Sequence, residues 1–197
     1  ISIGELARQA NGSVVVRYGD TVVLGTATMS KPWSQDADFM PLLVDYEEKL
    51  YAVGKIKGSR FIKREGRPSD EAILSGRLAD RCLRPLFPDG MRNDVQVTLS
   101  ILSVDEVNDP DVAAINAASA ALIVSDIPWN GPLAAVRVGR VDGRYIVNPS
   151  YEERRKGDLD IVVSGTAGNI LMIEAGCKVV LEKDIIEAVR LAQAEIK

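Results

Sequence analysis

Histidine is absent from the 197 residues. That absence removes Ser-His-Asp and Cys-His nucleophile systems, histidine-ligated metals and every histidine acid–base mechanism. Cysteine is scarce: Cys82 and Cys177 stand far apart with no CxxC, which excludes a disulfide scaffold and the common zinc frameworks. No run approaches the roughly 18 apolar residues of a membrane span, and no charged-then-apolar leader opens the chain. Free thiols without a leader imply a cytoplasmic setting; a mitochondrial one is the alternative, since a transit peptide is removed on import. Ile1 is not a natural initiator, so the chain reads as a processed or trimmed piece of something longer. A surplus of positive charge is also missing: 24 Lys+Arg face 28 Asp+Glu, a net charge of −4. Any polyanion must therefore be held by local clustering. The remainder, 46% hydrophobic and 26% charged, is an ordinary globular composition, long enough to bury a sizeable core.

Strand signals fill the first third. Residues 13–18 and 21–28 are rich in Val and Thr around the two-residue turn Gly19-Asp20, and 39–46 is a further strand entered through Pro41. Residues 52–69 lapse into a Gly/Lys/Arg-rich loop. A helix is predicted from the N-cap Ser69, with Asp70 and Glu71 in its first turn, to about Leu83 before Pro85. A strand over 94–104 precedes a helix opened by Pro110, whose many small residues predict burial on most sides. Strands at 134–141 and 144–148 flank the hairpin turn Asp142-Gly143; two more, at 159–164 and 170–174, precede a terminal amphipathic helix over 184–196. The fold class is α+β, antiparallel hairpins covered by a few helices.

The densest cationic cluster is Lys55, Lys57, Arg60, Lys63, Arg64 and Arg67, interrupted by Phe61 and Ile62. Lysines and arginines on a loop neutralise phosphates, and Phe61 offers a face on which a base stacks; a solvated loop offset by Glu65 and Asp70 is the plain alternative. On the following helix Arg77, Arg81 and Arg84 form one stripe beside the apolar stripe Leu74, Leu78 and Cys82. Asp80 lies within reach of Arg77 and Arg84, so this face is either an anion-binding margin or self-neutralised. Two acidic pairs, Asp158/Asp160 and Asp109/Asp111, fit either metal binding or strand-end and capping roles. Residues 54–59 lack the Gly-Lys-[Ser/Thr] of a phosphate loop.

Residues 61–69 (Phe-Ile-Lys-Arg-Glu-Gly-Arg-Pro-Ser) and 77–88 (Arg-Leu-Ala-Asp-Arg-Cys-Leu-Arg-Pro-Leu-Phe-Pro) closely resemble the polynucleotide phosphorylase family. So do residues 108–111, 125–132 and 147–149. The likeness spans the chain and matches the first of that family's two ribonuclease PH-type domains. It implies a ribonuclease PH-like (ribosomal protein S5 domain 2-like) fold with mixed and antiparallel sheets, residues 1–197 being a single such domain. The strand that usually precedes Ile1 and the family's later domains are not in this sequence.

The resemblance also implies a phosphate-dependent 3′→5′ exoribonuclease that releases nucleoside diphosphates, acts in mRNA degradation and forms a ring-shaped homotrimer. A wider RNA-degrading complex is a further implied partner. In the family's active second domain a serine run cradles the attacking phosphate. Aligned through Ala117-Ala118-Ser119, the matching positions here are Asp109-Pro110-Asp111, which would repel it. Asp160 keeps one catalytic aspartate position, whereas Val162 replaces the lysine and Arg154 the other aspartate. The resemblance therefore implies a non-catalytic, RNA-binding and ring-forming half, with no catalytic and no metal-ligating residue. Mg2+ and inorganic phosphate would be bound in the second domain, and no cofactor in this chain. Its RNA-binding residues would be Phe61, Lys63, Arg64 and Arg67, joined by Arg77, Arg81 and Arg84 unless these only knit the fold. Alternatives are a structural ring subunit of an exosome-like assembly and a self-sufficient ribonuclease PH-type enzyme.

Overall fold

The computed structural model describes residues 1–31, 39–56 and 66–197. Among the described residues two sheets are present. The first has the order β1 (Ser2–Ile3), β2 (Gly12–Tyr18), β3 (Thr21–Met29), β5 (Val95–Ser103), β4 (Leu42–Glu48). The second has the order β7 (Arg144–Val147), β6 (Ala134–Val141), β8 (Leu159–Gly165), β9 (Ile170–Cys177), all antiparallel. Among the described residues four α-helices accompany them: α1 (Asp70–Leu83), α2 (Pro110–Ile123), α3 (Tyr151–Lys156) and α4 (Glu182–Ile196).

Most boundaries follow from the chemistry read above. Tyr18 pairs with Thr21 across the Gly19-Asp20 turn, and alternate residues of β3 are buried. Ser69 caps α1, accepting a hydrogen bond from the Ala72 amide at 3.0 Å. The sheets are mixed and antiparallel, as expected: the hairpins are antiparallel, and β4 runs parallel to β5. The stretch joining them contains α1, and a crossover of that length allows parallel pairing. Strand β4 also starts three residues later than predicted, at Leu42.

Helix α2 lies between the sheets, with Ala113, Ala114, Ile115, Ala117, Ala118, Ser119, Ala121 and Leu122 buried. Small residues on both sides permit this. A Cβ on Gly12 would lie 2.0 Å from the Ala121 carbonyl oxygen, so only glycine lets β2 approach the helix so closely. Helix α4 covers the second sheet with Ala188 and Ala192 fully buried.

The predicted apolar stripe of α1 is only partly correct. Leu74 is 66% exposed, and the buried positions are Ala72, Gly76, Ala79, Cys82 and Leu83. The helix turns its small residues toward β4, where a Cβ on Gly76 would meet the Val44 carbonyl oxygen at 3.1 Å. Helix α3 is an element the sequence reading passed over. Its signal was present as a capping box: the Glu153 amide donates to the Ser150 hydroxyl, and the Ser150 amide donates to the Glu153 carboxylate.

Candidate functional site

The N-terminus of α2, the strands β6 and β8, and α3 meet at a cluster of five charged side chains. Asp109 is the N-cap of α2, accepting from the Asp111 amide at 3.3 Å, and Asp111 accepts from the Val112 amide at 2.6 Å. The helix thus fills its own positive end with carboxylates. Arg137, on β6 and with its side chain 8% exposed, reaches all three acids. Its Nη1 donates to Asp160 Oδ1 at 2.8 Å and Oδ2 at 2.9 Å, while Nη2 donates to Asp111 and lies 3.5 Å from Asp109. Arg154, on α3, donates through Nε to Asp160 Oδ2 at 2.9 Å and through Nη1 to Asp109. Its guanidinium also lies over the Tyr151 ring at 5.5 Å.

Two arginines against three aspartates leave one formal negative charge, and its effects reach the neighbouring groups. Burial, with the Asp109 carboxylate adding to it and Arg137 opposing, pushes Asp111 up to about 6. Burial and the facing acids raise the Tyr46 hydroxyl as well, and push Tyr151 up to about 12. Every carboxylate in the cluster therefore has a guanidinium, and both arginines are spent on carboxylates. The arrangement has no free cation to hold a phosphate. Its acids are committed to arginines, so it does not fit a metal ion either; among the described residues no group of three or more His, Cys, Asp or Glu could hold one. Val162 is buried in the core, so no ammonium group comes from that position.

The acidic pair Asp158/Asp160 separates in the same way. Asp158 is held by Arg140 at 2.9 and 2.7 Å, and Arg140 also binds Asp184 at 2.7 Å, fastening the start of α4. The arginine holds Asp158 below the ordinary carboxylate range. Arg137 is the residue that the sequence reading missed. An arginine inside the alternating run Ala-Ala-Val-Arg-Val is itself a signal, since a buried guanidinium requires carboxylate partners.

The cationic positions form a second region. Phe61, Lys63 and Arg64, like Lys57, Arg60 and Ile62, lie outside the described residues. Arg67 is exposed just before α1. Arg77 is exposed in a cleft between β4 and α1 that Asp45, Glu47, Asp80 and Arg84 also line. Arg81 pairs with Glu174 of β9 at 2.8 Å. Arg84 binds Asp80 with two hydrogen bonds (3.0 and 2.6 Å) and donates to the Met40 and Leu42 carbonyls at 3.1 and 3.3 Å. The three arginines of the α1 stripe therefore have three different surroundings, and only Asp80–Arg84 realises the expected helical pairing.

Comparison with known proteins adds a family to this geometry. Residues 1–128 match the family described as 3′ exoribonuclease family, domain 1, and residues 131–195 match its domain 2. The chain is 55% identical over 197 residues to a polyribonucleotide nucleotidyltransferase of Heliobacterium modesticaldum, and 56% identical to one of Geobacillus kaustophilus. All of the chain is covered in both alignments, but only 28% and 27% of those relatives. Among solved structures, an Archaeoglobus fulgidus exosome with RNA bound to its active site superposes with a TM-score of 0.74 at 22% identity, covering 98% of this chain and 83% of that one. The fold is thus the ribonuclease PH-like one, and the two family matches together cover nearly the whole sequence: the chain belongs to the 3′ exoribonuclease family.

Proposed function

We propose that this chain is the RNA-gripping, ring-forming and non-catalytic first ribonuclease PH-type domain of a polynucleotide phosphorylase. The whole enzyme would be a phosphate-dependent 3′→5′ exoribonuclease of mRNA degradation, trimeric and cytoplasmic, releasing nucleoside diphosphates. The likeness to polyribonucleotide nucleotidyltransferases along the whole chain supports the enzyme. The observation that carries the non-catalytic role is the closed cluster at α2. Phosphoryl transfer needs cations placed where charge develops, and Arg137 and Arg154 are occupied by Asp109, Asp111 and Asp160. Mg2+ and inorganic phosphate would be bound elsewhere in the full-length protein.

RNA would be held by phosphate contacts from Lys63, Arg64 and Arg67, with Phe61 beside them. Arg77 is exposed and available to join them. Arg84, tied to Asp80 and to two carbonyls of the β4 approach, is assigned to the fold, and Arg81 to the α1–β9 contact.

The test is incubation of the chain with single-stranded RNA, phosphate and magnesium. The expected outcome is salt-sensitive binding of RNA with no nucleoside diphosphate released. Release of diphosphates would overturn the non-catalytic reading and restore a self-sufficient enzyme.

A further inference from the structure

Aromatic residues are few in this chain, 5% of the sequence, so the exposed ones are informative. Among the described residues the exposed aromatics are Tyr18, Phe39 and Tyr51. Tyr51 alone sits at the root of the cationic loop, four residues before Lys55, and it is 56% exposed. It belongs to a single 3-10 turn, Leu50–Val53, whose backbone is fixed from several sides. Ala52 is buried, its carbonyl accepts from the Val104 amide of the β5 end at 3.1 Å, and its amide donates to Lys49 at 2.9 Å. Gly54 then takes a left-handed conformation (φ 69°) and returns its amide to the Leu50 and Tyr51 carbonyls, and the Lys55 amide closes on Leu50 at 3.0 Å.

The far root of the loop is fastened beside the same turn. The Ser69 hydroxyl donates to Glu48 Oε2 at 2.8 Å, and Glu48 lies three residues before Tyr51. Arg67, two residues before Ser69, and Lys55 are both exposed, and neither makes an ion pair among the described residues. A turn fixed by its own hydrogen bonds therefore exposes an aromatic ring at one root of the loop, four residues before Lys55, while Arg67 stands at the other root, and neither cation makes an ion pair among the described residues. This juxtaposition suits a single strand: the cations take phosphates, and a ring held by a fixed backbone takes a base face at little cost in conformational entropy.

We propose that Tyr51 is a stacking platform for a nucleobase of single-stranded RNA, flanked by phosphate contacts from Lys55 and Arg67. The proposal rests on the RNA-binding reading above and assigns the base-facing part of that surface.

The experiment compares two probes of equal length, a labelled oligoadenylate and an abasic ribose-phosphate strand, titrated with the parent chain, Tyr51→Ala and Tyr51→Phe. Tyr51→Ala should weaken oligoadenylate binding roughly tenfold, while Tyr51→Phe, which keeps the ring, stays within about twofold of the parent. The abasic strand should bind all three chains alike, and the salt dependence should be unchanged, because no cation has been removed. Equal affinity of Tyr51→Ala and parent for oligoadenylate overturns the stacking role, as does an equal loss on both probes, which marks a structural effect. If the parent binds neither probe, the RNA-binding reading fails and this inference falls with it; binding by the parent without discrimination at Tyr51 sinks the inference alone.

Discussion

Arg137 is the residue on which the α2 cluster turns, because it alone faces Asp109, Asp111 and Asp160 together. Removing one partner of a buried ionic group leaves the others uncompensated, so Arg137→Met should cost about 3–5 kcal/mol in urea unfolding at neutral pH. The loss should shrink in acid, where the stranded carboxylates take up protons. Asp111 supplies the complementary prediction. Its value rises from an ordinary 3.8 to about 6 in the folded protein. A carboxyl raised in this way stabilises the fold fully below its unfolded value, and that contribution is lost as pH rises through the folded one. Asp111→Asn cannot lose a proton, so its stability relative to the parent should improve as pH increases from about 4 to about 7. A flat difference across that window would mean that Asp111 carries no excess charge.

Helix α1 separates what was legible at the scale of an element from what was not. Its start and end could be read from Ser69, Asp70, Glu71 and Pro85, because caps and breakers act within a turn of chain. Its buried face could not, since Leu74 and Leu78 look more apolar than Ala72, Gly76 and Ala79 until the nearness of β4 is known. The deciding contact, Gly76 against the Val44 carbonyl, joins residues 32 positions apart. Gly76→Leu should therefore destabilise the chain by about 1–3 kcal/mol despite leucine's better helix propensity, through displacement of α1 from β4. Leu74→Gln should be close to neutral, with 66% of that residue already in solvent; chemical denaturation of the two variants checks both. The α2 cluster was legible only in outline. Its acids stood out as two pairs in the sequence, whereas the arginines that close it come from β6 and α3, a strand read only as one arm of a hairpin and a helix not foreseen.

Across the whole molecule, charge is distributed against its average. Residues 55–84 carry nine Lys+Arg (Lys55, Lys57, Arg60, Lys63, Arg64, Arg67, Arg77, Arg81, Arg84) and four Asp+Glu (Glu65, Asp70, Glu71, Asp80). That segment is +5, so with a total of −4 the remainder of the chain is −9. On the RNA-binding reading proposed above, the acidic remainder would repel an RNA strand and this basic segment would attract it, which would orient the strand before contact. Within the segment the described cations divide by what they already hold. Arg84 is committed to Asp80 and two carbonyls, whereas Arg67 is exposed with no ion pair among the described residues. Arg67→Ala should lower RNA affinity for all sequences alike and reduce the slope of log affinity against log salt by about 0.7, the release expected from one phosphate of a single strand. Its urea midpoint should stay at the parent value. Arg84→Ala should do the reverse, lowering the midpoint and leaving the salt slope as it was. If the two variants exchange these signatures, the division between RNA grip and fold support drawn from the ion pairs is wrong.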